Sequence, residues 1–258
     1  LIYNSTTATV QKYEAGAWAA VTSSSFSLYD ENPSSPTAPN ASGANSVCIG
    51  SASVASGDGA INICSSGLGG ATGDGSLAFL SGTSSGVRSF AASPNAVASA
   101  GDSFAFGYGA KADVAGKFAF TSRYISVAGD SQHGLLVIGQ DTTNATQTEL
   151  TNLRGATGSV GCTLPNTSTF AFSMLVVARR TDADGENDAW EFKGLIHRDA
   201  NAASTTLDAL QSNQIGATAW AVDVDADTTN GSLRVRVTGA AAKTIRWVAT
   251  IHTTEVTE

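Results

Sequence analysis

The side chains able to do chemistry are few, and most lie in short acidic runs. Asp182-Ala183-Asp184-Gly185-Glu186-Asn187-Asp188 has acids at the alternation of a calcium loop. A complete loop needs its Gly at the sixth position and a Glu at the twelfth. Here Gly185 is fourth and Lys193 stands twelfth, so the run is expected to be an exposed acidic hairpin. Asp223, Asp225 and Asp227 alternate on one strand and are expected to form a solvated face. His133, His197 and His252 are far apart, and no Gly-x-Ser-x-Gly or His-Glu-x-x-His spacing accompanies them. Glycoside cleavage with retention needs two carboxylates about 5 Å apart, a convergence that strand spacing alone does not supply. Trp190, Trp220 and Trp247 could stack on sugars, but their places on inward strand faces point to the core. Arg234, Arg236 and Arg246 face outward and could meet an anionic sugar or a neighbouring subunit. From these residues the expectation is no catalytic residue, no metal, no cofactor and no enzymatic activity.

Charge and cysteine content narrow the class. Lys and Arg number 14 against 22 acids, for a net charge of −8. The longest basic run is Arg179-Arg180. A duplex-binding protein needs a basic face to neutralise phosphates, so nucleic acid is not an expected partner. No run of about 18 apolar residues is present, so no membrane-spanning helix is expected either. Cys48, Cys64 and Cys162 are odd in number and irregular in spacing, which suits buried thiols better than a disulfide scaffold. No secretory leader pattern opens the sequence, which suggests cytoplasmic synthesis.

Three segments must position these residues. Residues 1–43 read as short strands, with Trp18 after a hairpin turn, followed by a linker holding Pro33, Pro36 and Pro39. Residues 44–124 repeat. The motifs Asn45–Gly50, Gly59–Cys64, Gly75–Leu80, Arg88–Ser93, Asp102–Gly107 and Gly116–Thr121 start at spacings of 14, 16, 13, 14 and 14. Their third column is Val, Ile, Leu, Phe, Phe, Phe, their fifth is Ile, Ile, Phe, Ala, Phe, Phe, and Ala dominates between. Apolar residues two apart share a strand face. A strand, a turn, a second short strand and a second turn use about 14 residues per coil. Six such coils, stacked at one strand spacing, rise about 29 Å. So narrow a coil encloses Ala, Ser and Gly, and only stacking buries its apolar rows. Ile49, Ile61, Ile63, Phe79, Phe104, Phe106, Phe118 and Phe120 are therefore expected to be buried, either within the roll or between chains. The turns Gly57-Asp58, Gly73-Asp74, Gly101-Asp102 and Gly116-Lys117 separate the motifs.

Columns such as Asn45-Ser46-Val47-Cys48-Ile49-Gly50 and Asp102-Ser103-Phe104-Ala105-Phe106-Gly107 resemble the head repeats of trimeric autotransporter adhesins. That resemblance covers about 80 residues and implies a left-handed parallel β-roll with three chains per head. The same repeat occurs in bacteriophage fibres. Cys48 and Asn62 depart from it by replacing Ala, and the coils at 75–88 are irregular.

Residues 125–258 change to longer alternating strands. Phe170, Phe172, Met174, Val176 and Ala178 share a face, as do Trp190, Phe192 and Ile196. Trp220, Val222, Val224 and Ala226 point in. Leu233, Val235 and Val237 alternate with Arg234 and Arg236, and Ile245, Trp247, Ala249 and Ile251 alternate with Arg246 and His252. Eight or nine strands result, in the manner of an antiparallel, jelly-roll-like β-sandwich. The segments Val176–Gly185, Lys193–Ala200 and Ile245–Ile251 resemble C-terminal domains of tailed-phage virion proteins. The expected fold class is thus all-β, a parallel β-roll followed by an antiparallel sandwich. The resemblances imply a virion structural protein made in the bacterial cytoplasm: a homotrimeric fibre, spike or capsid decoration protein. Its expected partners are its own copies, other virion proteins through the N-terminal part, and host-surface glycan. A bacterial trimeric adhesin and a polysaccharide depolymerase tailspike are the alternative readings.

Overall fold

The structure is a computed structural model that describes residues 2–4, 9–14, 17–20, 37–64, 69–152 and 161–258. Two compact units divide at Pro36 and Thr37. In the first, strands Ile2–Asn4, Thr9–Glu14 and Ala17–Ala20 form an antiparallel sheet in chain order. Trp18 pairs with Tyr13 across its hairpin. Residues 32–36 of the Pro-rich stretch lie outside the described residues.

The second unit begins with a parallel β-solenoid of about six coils. Each coil gives a two-residue strand to one sheet and a longer strand to another. The narrow sheet stacks Asn40–Ala41, Val54–Ala55, Gly70–Ala71, Thr83–Ser84, Val97–Ala98 and Lys111–Ala112. The wide sheet stacks Val47–Ile49, Ile61–Ile63, Leu77–Phe79, Phe90–Ala92, Phe104–Tyr108 and Phe118–Arg123. Pairing follows the repeat columns: Val47, Ile61, Leu77, Phe90, Phe104 and Phe118 lie side by side.

Burial reverses part of the sequence expectation. The middle column fills the coil: Asn62, Ala78, Ala91, Ala105 and Ala119 are fully buried. They face Ala55, Ala71, Ala98 and Ala112 from the narrow sheet, also fully buried. The flanking columns point out. Ile61 is 37% exposed, Phe104 41% and Phe120 50%. Ile49, Ile63, Phe79, Phe106 and Phe118 are half-buried. Of the two expected places for these residues, within the roll or between chains, the first is therefore corrected. Two sheets joined by short turns stand too close for a ring between them, and a methyl group closes the gap.

The turns explain the repeat starts. Asn45, Gly59, Gly75, Arg88, Asp102 and Gly116, one per coil, all have positive φ between 55° and 74°. That left-handed region is one that Gly, Asn and Asp enter most cheaply. One residue on, the hydroxyls of Ser46, Ser89 and Ser103 donate to the carbonyls of Gly43, Gly86 and Ala100 at 2.8, 2.6 and 2.7 Å. In the last coil this column holds Lys117, only 5% exposed.

Phe118–Arg123 then pairs antiparallel with Ser131–Thr142, so the wide sheet runs on without a break. Ile245–Thr257, Ser168–Arg180, Asn187–Arg198 and Thr205–Gln214 follow, giving one eleven-stranded sheet. The hairpin of Ala221–Asp227 and Ser232–Thr238 builds a smaller sheet with Thr148–Glu149 and Cys162–Thr163. One apolar cluster draws on both sheets, including Phe170, Met174, Trp220, Leu233, Val235 and Trp247. The alternation read from sequence holds on the long strands. Val176, Ala178, Ile245, Trp247, Ala249 and Ile251 are fully buried. Trp247 centres the core, with Trp190 and Trp220 ring centroids at 5.6 and 5.8 Å.

The solenoid is joined to this core by a buried polar network. Lys117 Nζ donates to Glu255 at 2.8 Å, and Gln132 Nε2 donates to the same carboxylate at 2.7 Å. Thr253 donates to its other oxygen at 2.6 Å. Gln132 also donates to the Lys111 carbonyl and accepts from the Lys111 amide, both at 2.9 Å.

Candidate functional site

The outer face of the eleven-stranded sheet is the first candidate. The solenoid supplies a ladder of rings: Phe79 to Phe90 at 5.7 Å, Phe90 to Phe106 at 4.9 Å, Phe106 to Phe118 at 5.3 Å. Pairing carries the ladder across the junction. Phe118 lies opposite Leu135 and Phe120 opposite His133. Further on, Val137, Val248, Leu175 and Val177 are 55%, 42%, 47% and 48% exposed. His133 and His252 lie within this face, with ring centroids 5.6 Å apart. Apolar side chains in a continuous exposed band of this length mark a contact surface.

The outer face of the small sheet is the second candidate. Arg234 holds Asp225 through two bonds of 2.8 Å, and Arg236 reaches both Asp223 and Asp225. Glu149 lies opposite Arg236 in the register. Burial pushes the Glu149 carboxyl above its usual range, and the nearby charges of Asp227 and Asp225 add to this against Arg234 and Arg236. Asp227 goes the other way. Its burial raises it, but hydrogen bonds from Asn230 and Thr229 outweigh that and hold it ionised. Two carboxyls pushed apart in this manner are the electrostatic raw material of acid–base work.

Other predicted residues are placed as follows. Asp223 and Asp225 face outward, but Asp227 is 4% exposed and staples the turn at Thr229 and Asn230, which corrects the three-acid face. The alternation is broken because the strand ends there and the side chain turns to cap the loop. In the acidic hairpin Asp184 is fully exposed and only loosely paired, 3.5 Å from Arg179. Asp182 is held at about 2 by Arg180, against burial and with the help of the Thr244 amide. Lys243, then Arg180, keeps Glu186 low. Asp188 is buried and accepts from Gly216, Thr218, Gln214 and Ala189, donors that overcome its burial and hold it at about 2. Apart from Asp184, these acids are thus taken up by Arg180, by Lys243 and by hydrogen-bond donors of neighbouring segments.

Trp190, Trp220 and Trp247 are 5%, 4% and 0% exposed and lie in the core. Arg246 pairs with Asp141 at 2.9 and 3.0 Å. His197 accepts or donates at 2.7 Å to Asp208, which raises its pKa above the ordinary value. Sequence reasoning missed that pair, because Asp208 reaches His197 through a bulge in the edge strand. It also missed Glu149, which no motif marks. No disulfide joins the cysteines, and burial pushes the Cys162 thiol up to about 12. Among the described residues no helix is long and apolar enough to cross a membrane.

No protein-family model matches the chain, and no curated protein does. Two solved structures are similar at low scores. One is a tailspike protein, gp49, of Acinetobacter baumannii bacteriophage Fri1, a capsular polysaccharide depolymerase. It shares 9% identity at a TM-score of 0.26, over 74% of this chain and 39% of that one. The other is the tailspike protein of Acinetobacter phage vB_ApiP_P1, with 12% identity, a TM-score of 0.18, and coverage of 80% and 41%. The chain thus spans about two fifths of the length of each. The expectation that the protein is not an enzyme is corrected here, because the first of these neighbours is by its own description an enzyme.

Proposed function

We propose that the chain is a subunit of a bacteriophage tail fibre or spike. It associates with two further copies through the outer face of its eleven-stranded sheet and meets host-surface glycan with its C-terminal sheets. The observation that carries the reading is the exposed apolar ladder. A single chain leaves Val47, Ile61, Phe104 and Phe120 at 44%, 37%, 41% and 50% exposure. Ten strand intervals make the face about 48 Å long. At about 10 Å wide it offers about 500 Å² per copy, or about 1,000 Å² between two partners, the threshold of a specific interface. Its occupant is another copy because rings recurring at the strand spacing match a partner with the same spacing. The adhesin-head resemblance of the repeats supplies the number three. Sedimentation equilibrium tests this: a mass three times 26.1 kDa is expected. A monomer at micromolar concentration would defeat it.

A second reading, cleavage of a capsular polysaccharide, rests on the Glu149 cluster. A raised carboxyl near Asp227, whose own carboxyl is held low, suits a proton donor to a glycosidic oxygen. Loss of capsule-cleaving activity in Glu149→Gln, with the fold unchanged, is the expected result. Equal activity in both proteins would remove Glu149 from the chemistry.

A further inference from the structure

We infer that His133 and His252 make the association of copies acid-sensitive, so that the assembly is tight at neutral pH and loosens as pH falls toward 5. The inference rests on the association through the sheet face proposed above. The two imidazoles come from neighbouring strands, with ring centroids 5.6 Å apart and both side chains exposed in the single chain. Phe120 lies across from His133, and Leu135 across from His252. A second copy on this face covers both rings with apolar surface.

The charged surroundings leave the pair to itself. The strand Phe118–Arg123 brings Phe118 and Phe120 to the pair, with Arg123 at its end. Thr254 and Thr250 flank His252 on its own strand. Ser173 lies beside it on the next strand. Lys193 shares that row one strand further and is paired with Glu191 at 3.1 Å. Asp130 sits at the start of the His133 strand and is occupied by the amides of Ile125, Ser126 and Val127. Glu255 points to the other face and is held by Lys117. Thus, among the described residues, no carboxylate faces the pair to stabilise its cationic form.

Histidine is the side chain that gains its charge between pH 5 and 8. Burial against apolar surface favours neutral imidazole, and a second positive charge in contact favours it further. The assembly therefore holds fewer protons than the separate copies. Its stability falls as pH falls, by up to tenfold per pH unit for each imidazole that must stay neutral. Two imidazoles in each of three copies make a loss of at least a hundredfold between pH 8 and pH 5 the expected effect.

The test is sedimentation of the wild-type chain and of His133→Phe/His252→Leu at pH 8 and pH 5, with near-ultraviolet circular dichroism of the tryptophan core as the check on folding. The expected result is association of both proteins at pH 8, and of the double variant alone at pH 5. The core signal should be retained throughout. Wild-type association unchanged at pH 5 would overturn the inference while leaving the interface standing. Acid dissociation of both proteins would overturn it as well, by moving the sensitivity to other groups such as His197. A monomeric wild type at both pH values would overturn the interface itself.

Discussion

Gly43, Gly57, Gly73 and Gly86 occupy one column of the solenoid, and each faces the backbone of the next coil. A methyl group at Gly57 would overlap the Gly73 carbonyl oxygen, whereas one at Gly59 would meet nothing. Gly59 needs only its φ of +67°. Ala at Gly59 should therefore cost about 1–2 kcal/mol, the price of a left-handed backbone. Ala at Gly57 should cost more, because the coils must separate. Urea midpoints of the two variants check the order, and equal midpoints would mean that the coils can spread. His197 offers a second prediction. Its bond to Asp208 raises its folded-state pKa. Its stabilising contribution is fully present below the ordinary histidine value and is lost as pH rises through the higher folded value. Stability measured from pH 5.5 to 8.5 should show this loss, and Asp208→Asn should flatten it. An identical pH profile in the variant would assign the dependence elsewhere.

Among the elements, what could be read in the sequence depended on whether the controlling contacts were local. The repeat columns predicted the solenoid pairings residue for residue, because turn chemistry and alternation are properties of neighbours. That Ala fills so narrow a coil was legible from its size, but whether the Ile and Phe columns lie within the roll or outside it was not, since strand alternation fixes two faces but not which one the turns close over. Lys117 shows the same limit. Gly116-Lys117 reads as a turn, yet Lys117 stands in the inward Ser column, with its ammonium on a carboxylate 138 residues away. The ion pair has side-chain exposures of 6% and 2%. Removing one partner leaves a buried charge, at a cost of about 3–5 kcal/mol. Lys117→Met alone should lower the thermal midpoint strongly, and Lys117→Met with Glu255→Met should recover much of the loss. A double variant as unstable as the single one would show that the charges are needed at this splice. Glu149 escaped notice for the same reason, as its partner Arg236 lies on a strand distant in sequence, whereas Asp208 is near His197 in sequence and was hidden by the bulge that shifts the register.

At the scale of the whole molecule, the two faces of the eleven-stranded sheet have separate duties. The inner face closes on Ala in the solenoid and on the tryptophan core beyond it, and this face decides whether the chain folds. The outer face carries the rings and decides, on the reading proposed here, whether copies associate. Phe104 separates the two. A buried Phe contributes about 1.5–3 kcal/mol to folding, but at 41% exposure Phe104 has only part of that to lose within one chain. Phe104→Asp should shift the melting temperature of a dilute, dissociated sample by only a few degrees. In a concentrated sample it should place three carboxylates in the apolar ladder and abolish association. Melting followed across a hundredfold range of concentration distinguishes these effects. The wild-type midpoint should rise with concentration by mass action, and that of the variant should not. A wild-type midpoint independent of concentration, together with a variant that fails to fold when dilute, would mean that the ring ladder serves the single chain after all.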